Sequence, residues 1–143
     1  MIDKKGNIDW DKLKQTVRLA VRFMDRVIDI NHYIQALPQI EEKQKKIRRI
    51  GMGTLGLADM MIIKGVRYGS KESLKLIDEV YGFIRDTAYR ASIELARKKG
   101  PAPALYRDKY LEMPFIKKLP ADIRKDIDNY GIRNLSILSQ APT

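Results

Sequence analysis

Apolar residues recur at steps of three and four along two long stretches of the chain, as they do on one face of an α-helix. In the first stretch, which Asn7 or Asp9 can cap, the apolar positions are Trp10, Leu13, Val17, Ala20, Val21, Met24, Val27 and Ile28. Charged residues fall on the other side of this helix, at Lys14, Arg18, Arg22, Asp25 and Asp29. We predict that the helix ends near Asn31 and His32, before Pro38.

The longest predicted helix begins after Ser70, which can act as its N-cap, and ends at Lys99. Its apolar stripe consists of Leu74, Ile77, Tyr81, Ile84, Ala88, Ala91, Ser92 and Leu95. The basic residues at its end complement the helix dipole, and Gly100-Pro101 closes it. Because each stripe would otherwise face water, we expect the two long helices to pack together.

Shorter elements complete a chain that we predict to be mainly helical, with one or two strands. The pattern predicts a charged helix over residues 38–49, an extended segment over 47–52, and helices over 57–64 and 120–130. Residues 101–120 are predicted to be a loop with one short helical turn. The loose alternation over residues 132–139 indicates a strand. At 143 residues the chain has the size of one domain.

The chain is basic, with 28 Lys and Arg against 18 Asp and Glu, a formal net charge of +10. Its most basic segment is KQKKIRR at residues 43–49. Such a segment is either solvated surface or a patch for nucleic acid or an acidic partner. The other basic residues are scattered among carboxylates, and the aromatics do not alternate with them as a base-stacking platform requires.

Residue types missing from the sequence exclude several kinds of chemistry within this chain. There is no cysteine and only one histidine, His32, so disulfides, Cys-ligated zinc, iron–sulfur clusters and thiol catalysis are excluded. We expect His32 to lie on the surface at a helix end. A carboxylate-only metal site remains open, but the sequence has no D-x-D-x-D-G loop and we predict no metal ligands. No apolar run is long enough for a membrane span, and no signal peptide opens the chain. We therefore expect a cytoplasmic protein that does not associate with a membrane.

Residues 51–56 contain G-x-G-x-x-G, the glycine spacing of a dinucleotide-binding turn. That turn needs an apolar strand before the first glycine and an acidic residue about twenty positions later, at the end of a second strand. Here the preceding segment, KQKKIRRI, is strongly charged, and Asp78 and Glu79 lie inside the longest predicted helix. We therefore expect a tight chain reversal in which the backbone packs closely, without a bound nicotinamide or flavin nucleotide.

Separated sequence blocks, in order and in spacing, resemble the catalytic chain of ribonucleotide reductases, most closely the adenosylcobalamin-dependent (class II) type. They are Asp9-Trp10 with Leu13, Ala20-Val21-Arg22-Phe23-Met24-Asp25 with Ile28-Asp29, Arg48-Arg49-Ile50-Gly51-Met52-Gly53-Thr54-Leu55-Gly56-Leu57-Ala58-Asp59, Tyr68-Gly69-Ser70, Ala91-Ser92-Ile93-Glu94-Leu95-Ala96-Arg97-Lys98-Lys99-Gly100, Gly131-Ile132-Arg133-Asn134 and Ala141-Pro142-Thr143. The resemblance covers nearly the whole chain. In that family the arginine–glycine block is a structural piece of the fold.

The resemblance implies that residues 1–143 are a single partial domain, a helical segment from the second half of a ten-stranded α/β barrel. The family reduces ribonucleotides to deoxyribonucleotides with a cysteine thiyl radical, an Asn-x-Cys-x-Glu pattern and a redox cysteine pair. None of these is in the chain, which has no cysteine. The resemblance therefore implies no catalytic residue here, an inactive isolated chain, and the remainder of the reductase chain as partner, with adenosylcobalamin belonging to the complete enzyme.

One functional motif of the family is present in part, as Ala141-Pro142-Thr143. The family's Ala-Pro-Thr-Gly-Ser/Thr loop binds the phosphates of the nucleotide substrate through backbone N–H groups, which is a physically sound anion site. Pro142 has no N–H to donate, so Thr143 is the clear donor, and a terminal carboxylate beside it is expected to repel phosphate. We expect a chain end within this motif from any of four causes: a split gene, a truncated reading frame, a cloned fragment or an intein.

Two further expectations follow from this reading. The strand over residues 132–139 would have open edges outside the barrel and could form a homodimer by pairing with a second copy. Because that strand would stand apart from a helix-only core, we expect its removal to leave the helical fold largely intact. The alternative to a reductase segment is a stand-alone basic helical module that binds an acidic partner or nucleic acid through residues 43–49.

Overall fold

Helices dominate the computed structural model of this chain, which describes Asp3 and residues 6–138. The order of elements is α1 (Trp10–Ile30), α2 (Pro38–Ile47), β1 (Ile50–Gly51), α3 (Leu57–Ile63), α4 (Lys71–Lys99), α5 (Arg107–Leu111), α6 (Pro114–Lys117), α7 (Ala121–Tyr130) and β2 (Ile137–Leu138). The prediction of a mainly helical fold with one or two short strands is confirmed: two short strands lie among the described residues. No helix among the described residues is both long enough and apolar enough to cross a membrane.

The two long helices begin at the predicted caps and pack on each other. The Asp9 carboxylate accepts a hydrogen bond from the Lys12 backbone N–H (2.9 Å), and the Ser70 hydroxyl accepts one from that of Ser73 (3.2 Å). These bonds satisfy N–H groups that have no partner within the helix. The first core lies between α1 and α4 and includes Leu13, Val17, Val21, Ile28, Leu76, Val80, Ile84, Ala88 and Ala91.

A second core covers another face of α4. Its buried members are Tyr89, Ile93, Tyr110, Ile116, Leu119, Ile123, Ile127 and Ile132. Residues 101–120 supply three of them and contain two short helices, α5 and α6, so the prediction of a loop with a single turn was wrong. Their helical pattern is too short to recognise in the sequence, and burial of Tyr110 and Ile116 stabilises them in the fold.

Strands β1 and β2 pair in parallel, with Ile50 opposite Ile137 and Gly51 opposite Leu138. The predicted strand over residues 132–139 is therefore regular over only two described residues. The backbone before it is irregular but anchored, and Ile132 and Asn134 are fully buried. The expectation of a helix-only core was wrong, because the segment from Ile132 to Asn134 lies inside the molecule.

Individual side chains also depart from the predicted stripes. Leu74 was assigned to the core of α4 but is 59% exposed, whereas Leu76 is 7% exposed and packs in the first core. Val27 lies partly exposed on α1, and Asp25, which was assigned to the solvent side, is fully buried. Both helices carry apolar residues on more than one face, so spacing alone does not identify the face that meets the core.

Candidate functional site

The carboxyl ends of β1 and β2 open at the same edge of the molecule, because the two strands are parallel. Ligands of open α/β sheets bind outside the carboxyl ends of the strands. The segment from Met52 to Gly56 follows β1 at this edge. Ala141-Pro142-Thr143, the predicted phosphate loop, begins three residues after Leu138, the last residue of β2, and lies outside the described residues.

Backbone hydrogen bonds place β2 and the residues before it against the end of α2 and against β1. The Leu135 N–H donates to the Ile47 carbonyl (3.1 Å), the Ile50 N–H to the Ser136 carbonyl (3.0 Å), and the Met52 N–H to the Leu138 carbonyl (2.7 Å). The last two bonds belong to the parallel ladder, and the first attaches the residues before β2 to the end of α2. They hold the segment that leads towards the predicted phosphate loop.

Asn134 forms four hydrogen bonds while being fully buried. Its side-chain Nδ2 donates to Asp25 Oδ1 (3.2 Å) and to the Arg48 carbonyl (3.0 Å). Its Oδ1 accepts from the Ser92 hydroxyl (2.8 Å), whose Oγ in turn accepts from the Asn134 backbone N–H (2.9 Å). Because both amide hydrogens and the amide oxygen have partners, the orientation of the side chain is fixed.

Asp25 lies at the centre of this arrangement and is surrounded by cationic groups. The Arg48 guanidinium contacts its Oδ1 at 2.8 Å and also reaches Asp29 at 2.9 Å. Lys99 Nζ lies 3.3 Å from Asp25 Oδ2, and Arg133 Nε lies 3.5 Å from Oδ1. The Asp25 network is defined here by Asp25, Asp29, Arg48, Ser92, Lys99, Arg133 and Asn134. A buried carboxylate is tolerated only with charge partners and hydrogen bonds, and this network supplies both.

Arg48 adopts a left-handed backbone conformation, with φ +54° and ψ +48°, at the C-cap of α2. Such a conformation costs a non-glycine residue roughly 1–2 kcal/mol. Its side chain is held by the two carboxylates, and its carbonyl accepts from Asn134. The network therefore stabilises the turn from α2 into β1 and joins it to the residues before β2.

The second core provides one further anchor for the same segment. The Tyr110 hydroxyl donates to the Leu135 carbonyl (3.2 Å). Burial raises the pKa of Tyr110 above its ordinary value, with a further contribution from Tyr89, so the phenol stays protonated and able to donate.

The three glycines of the predicted reversal have different surroundings. Gly51 lies in β1, and a Cβ at Gly53 would meet no heavy atom within 4 Å, so close backbone packing is absent at that position. Only Gly56 has a positive φ, +84°, where it caps α3. Asp78 and Glu79 lie inside α4, as predicted. The prediction that no nicotinamide or flavin nucleotide binds here stays a prediction.

An apolar cavity of about 480 Å³ opens beside this reversal, between α1 and α4. Its lining includes Leu13, Val17, Met52, Leu57 and Ile84. The hydroxyl groups of Thr54 and Tyr81 form a hydrogen bond of 2.5 Å at its wall. The cavity therefore lies at the carboxyl end of β1, beside the segment from Met52 to Leu57.

The basic segment at residues 43–49 is largely engaged with carboxylates. Lys45 pairs with Glu41 and Lys46 with Glu42, one helical turn apart on α2, and Arg48 points into the Asp25 network. His32 lies exposed just after α1, as predicted. Among the described residues, no group of three or more His, Asp or Glu side chains is placed to hold a metal ion.

The sequence pattern did not identify the Asp25 network as a unit. Its members come from α1, the α2–β1 turn, α4 and the residues before β2, so no local spacing relates them. The signal that could have found them is the set of resembling blocks: Asp25, Arg48, Ser92, Lys99 and Asn134 each lie in one of those blocks.

Comparison with known proteins gives one consistent result. A family model described as "Ribonucleotide reductase, barrel domain" matches residues 1–143. The vitamin B12-dependent ribonucleoside-diphosphate reductase of Mycobacterium tuberculosis (strain CDC 1551 / Oshkosh) is 33% identical over 138 residues, which cover 96% of this chain and 17% of that protein. The protein of the same name from Thermoplasma acidophilum is 41% identical over 106 residues, covering 74% of this chain and 13% of that protein.

A viral relative extends the comparison. The ribonucleoside-diphosphate reductase large subunit of Vaccinia virus (strain Copenhagen) is 34% identical over 149 aligned residues, covering 96% of this chain and 19% of that protein. The chain thus spans less than a fifth of the length of each of these three relatives. The match of the family model over all 143 residues shows that the chain belongs to the ribonucleotide reductase family and is part of its barrel domain.

Proposed function

We propose that residues 1–143 are the part of a ribonucleotide reductase barrel that presents the substrate-phosphate loop to the active site. The observation that supports this most directly is the parallel pair β1–β2, whose carboxyl ends lie at one edge and whose second strand precedes Ala141-Pro142-Thr143 by three residues in the sequence. Backbone N–H groups at such an edge provide a site for the phosphates of a ribonucleotide.

The contribution of these residues to the reaction is binding and orientation of the substrate. The chain has no cysteine, so neither a thiyl radical nor a dithiol can form within it. Reduction of the ribose therefore needs residues from the remainder of the reductase chain. Holding the substrate phosphates at a fixed position lets those residues meet the ribose in a productive geometry.

Two of the relatives are named as vitamin B12-dependent reductases. For the complete enzyme we accordingly propose adenosylcobalamin as the cofactor. When bound, that cofactor supplies the radical. Adenosylcobalamin carries the main ligands of its own cobalt, and none of the described residues is assigned to hold it. No step of the reaction is therefore assigned to the cofactor within these residues.

A chimera tests the proposal. The stretch of the Mycobacterium tuberculosis reductase that matches this chain over 138 residues is replaced by the corresponding residues of this chain. We expect the folded chimera to reduce ribonucleoside diphosphates when adenosylcobalamin and a dithiol are supplied, and we expect residues 1–143 alone to show no turnover. A chimera that folds and melts cooperatively but neither binds nor reduces a ribonucleotide would contradict the proposal.

A further inference from the structure

We propose that a surface groove between α1 and α4 receives an amphipathic helix from the remainder of the reductase chain, with carboxylates flanking its apolar face. This inference rests on the proposed function, which makes residues 1–143 part of a larger barrel. The groove, called the basic groove below, has a volume of about 430 Å³ and is lined by side chains from residues 18–26 of α1 and 91–99 of α4. Its apolar members on α1, Leu19 and Phe23, are 66% and 67% exposed.

Helix α1 carries a second apolar stripe that the described part of the chain leaves uncovered. Leu19, Phe23, Val27 and Ile30 follow one another at steps of four, four and three, so they share one face of the helix. All four are exposed, whereas the stripe on the opposite face is buried against α4. A helix that is apolar on opposite faces is typical of one that is covered on both sides in the complete protein.

Helix α4 forms the other wall of the basic groove and runs in the same direction as α1. Arg18 Nη2 lies 2.7 Å from Glu94 Oε2, and further along both helices Lys99 Nζ lies 3.3 Å from Asp25 Oδ2. Since an α-helix rises 1.5 Å per residue, the lined segments give a groove about 12 Å long. This length is about two helical turns, which accommodates a helix anchored at positions i, i+3, i+4 and i+7.

The charges along the basic groove are unbalanced and favour an acidic partner. Five of the side chains that line it are basic, and Glu94 is the one carboxylate among the described lining residues. For Arg22, Arg26 and Lys98, no carboxylate lies within 4 Å in the described part of the chain. Carboxylates on the incoming helix would complement these three cations, and its apolar side chains would cover Leu19 and Phe23.

The remainder of the reductase chain fits these features better than other occupants. In the three relatives compared above, more than four fifths of the protein lies outside the part that matches this chain. A second copy is disfavoured because a symmetric contact would bring Arg22 and Arg26 against the same residues of the other copy. Nucleic acid is disfavoured because Phe23 is the single aromatic side chain among the described lining residues, and base stacking needs successive aromatics.

Photochemical cross-linking in the complete reductase chain tests the proposal. Phe23→p-benzoylphenylalanine replaces one exposed aromatic side chain with another, and Leu19→p-benzoylphenylalanine supplies a second position one turn away. After irradiation and digestion, mass spectrometry identifies the joined peptide. We expect a peptide of the same chain from outside residues 1–143, with apolar residues at helical spacing and Asp or Glu beside them. Phe115→p-benzoylphenylalanine, at an exposed position of α6, is the matched control and should not join that peptide.

A charge reversal tests the acidic character of the partner. Arg22→Glu with Arg26→Glu should lower the yield of the cross-link at Phe23 by about fivefold or more, because like charges would then face each other. Lys71→Glu with Lys75→Glu makes the same change of charge at exposed positions of α4 outside the groove and should leave the yield unchanged. Equal yields in the two double variants would overturn the claim that the partner is acidic.

Other results would overturn the choice of occupant. A cross-link to a second copy, recognised by mixing with isotope-labelled protein, would identify the groove as a contact between copies. A cross-link to an added oligodeoxythymidylate in place of protein would identify nucleic acid. A folded enzyme that gives no cross-link at Leu19 or Phe23 would show that nothing covers the groove. Reductase activity of the parent is measured separately: an inactive parent would contradict the proposed function, whereas the cross-linked peptide decides the docking proposal.

Discussion

Asp25 has no exposed surface, and its position determines how four separate segments meet. Its carboxylate contacts Arg48 in the α2–β1 turn, Lys99 at the end of α4, and Arg133 and Asn134 in the residues before β2. Removing a charge from water is costly, and the mutual attraction of the charges compensates only when hydrogen bonds satisfy the remaining polar atoms. The Asp25 network therefore provides specificity of assembly, because a different pairing would leave a buried charge alone.

We expect Asp25→Asn to lower the free energy of unfolding by about 3–5 kcal/mol, since it leaves the buried Arg48 guanidinium without its main carboxylate. Asp29→Asn is the matched control. Asp29 also contacts Arg48, but its side chain is 37% exposed and solvent can replace it, so a loss of about 1 kcal/mol or less is expected. Urea denaturation of both variants measures the difference, and equal losses would show that burial of Asp25 does not govern its contribution.

At the scale of single residues the sequence predicted the caps well and the buried charge not at all. Asp9 and Ser70 were recognisable because a cap depends on residues within one turn of the helix. Asp25 was assigned to the side of the first helix opposite the apolar stripe, where a charged residue is usually exposed. Its true environment depends on Arg48 and Asn134, which are 23 and 109 positions away.

At the scale of elements, α4 organises the molecule by presenting different faces to two cores. Val80, Ile84 and Ala88 face the first core with α1, whereas Tyr89 and Ile93 face the second core with α5, α6 and α7. The length and bounds of α4 could be predicted because its cap, basic end and Gly100 are local signals. The two faces could not be separated from the sequence, since the residues that cover them come from distant segments.

The residues before β2 join these elements, and this leads to a prediction about truncation. We expect a chain that ends after Tyr130 to lose its cooperative thermal transition, because Ile132 leaves the second core and Asn134 leaves the Asp25 network. Removal of a fully buried isoleucine alone costs about 2–5 kcal/mol. A chain that ends after Leu138 keeps both residues and should melt as the full chain does.

Circular dichroism and calorimetry on the two truncated chains measure this difference. A cooperative melt after truncation at Tyr130 would restore the view, favoured by the sequence pattern, that the helices form the core by themselves. The homodimer predicted through the open strand is a separate matter and stays a prediction. In the structure, β1 pairs with one edge of β2.

At the scale of the whole molecule, the net charge of +10 does not produce a basic surface of unpaired side chains at residues 43–49. The Lys45–Glu41 and Lys46–Glu42 distances are 2.5 and 2.6 Å, and Arg48 is buried. Lys43 and Arg49 are the basic residues of this segment for which no carboxylate within 4 Å is found in the part of the chain that the structure describes. This arrangement favours a structural role for the segment over nucleic-acid binding.

We therefore expect residues 1–143 to bind double-stranded DNA weakly and without sequence preference. Each neutralised phosphate contributes about −0.9 to the slope of log K against log salt concentration, so Lys43→Gln with Arg49→Gln should change that slope by about 2 at most. Lys71→Gln with Lys75→Gln, two exposed positions at the start of α4, is the matched control and should have a similar effect. Fluorescence anisotropy across a salt series measures both slopes. The contradicting outcome is sequence-selective binding that persists at physiological salt and is lost only in the variant of Lys43 and Arg49. That result would favour the stand-alone interaction module over the reductase segment.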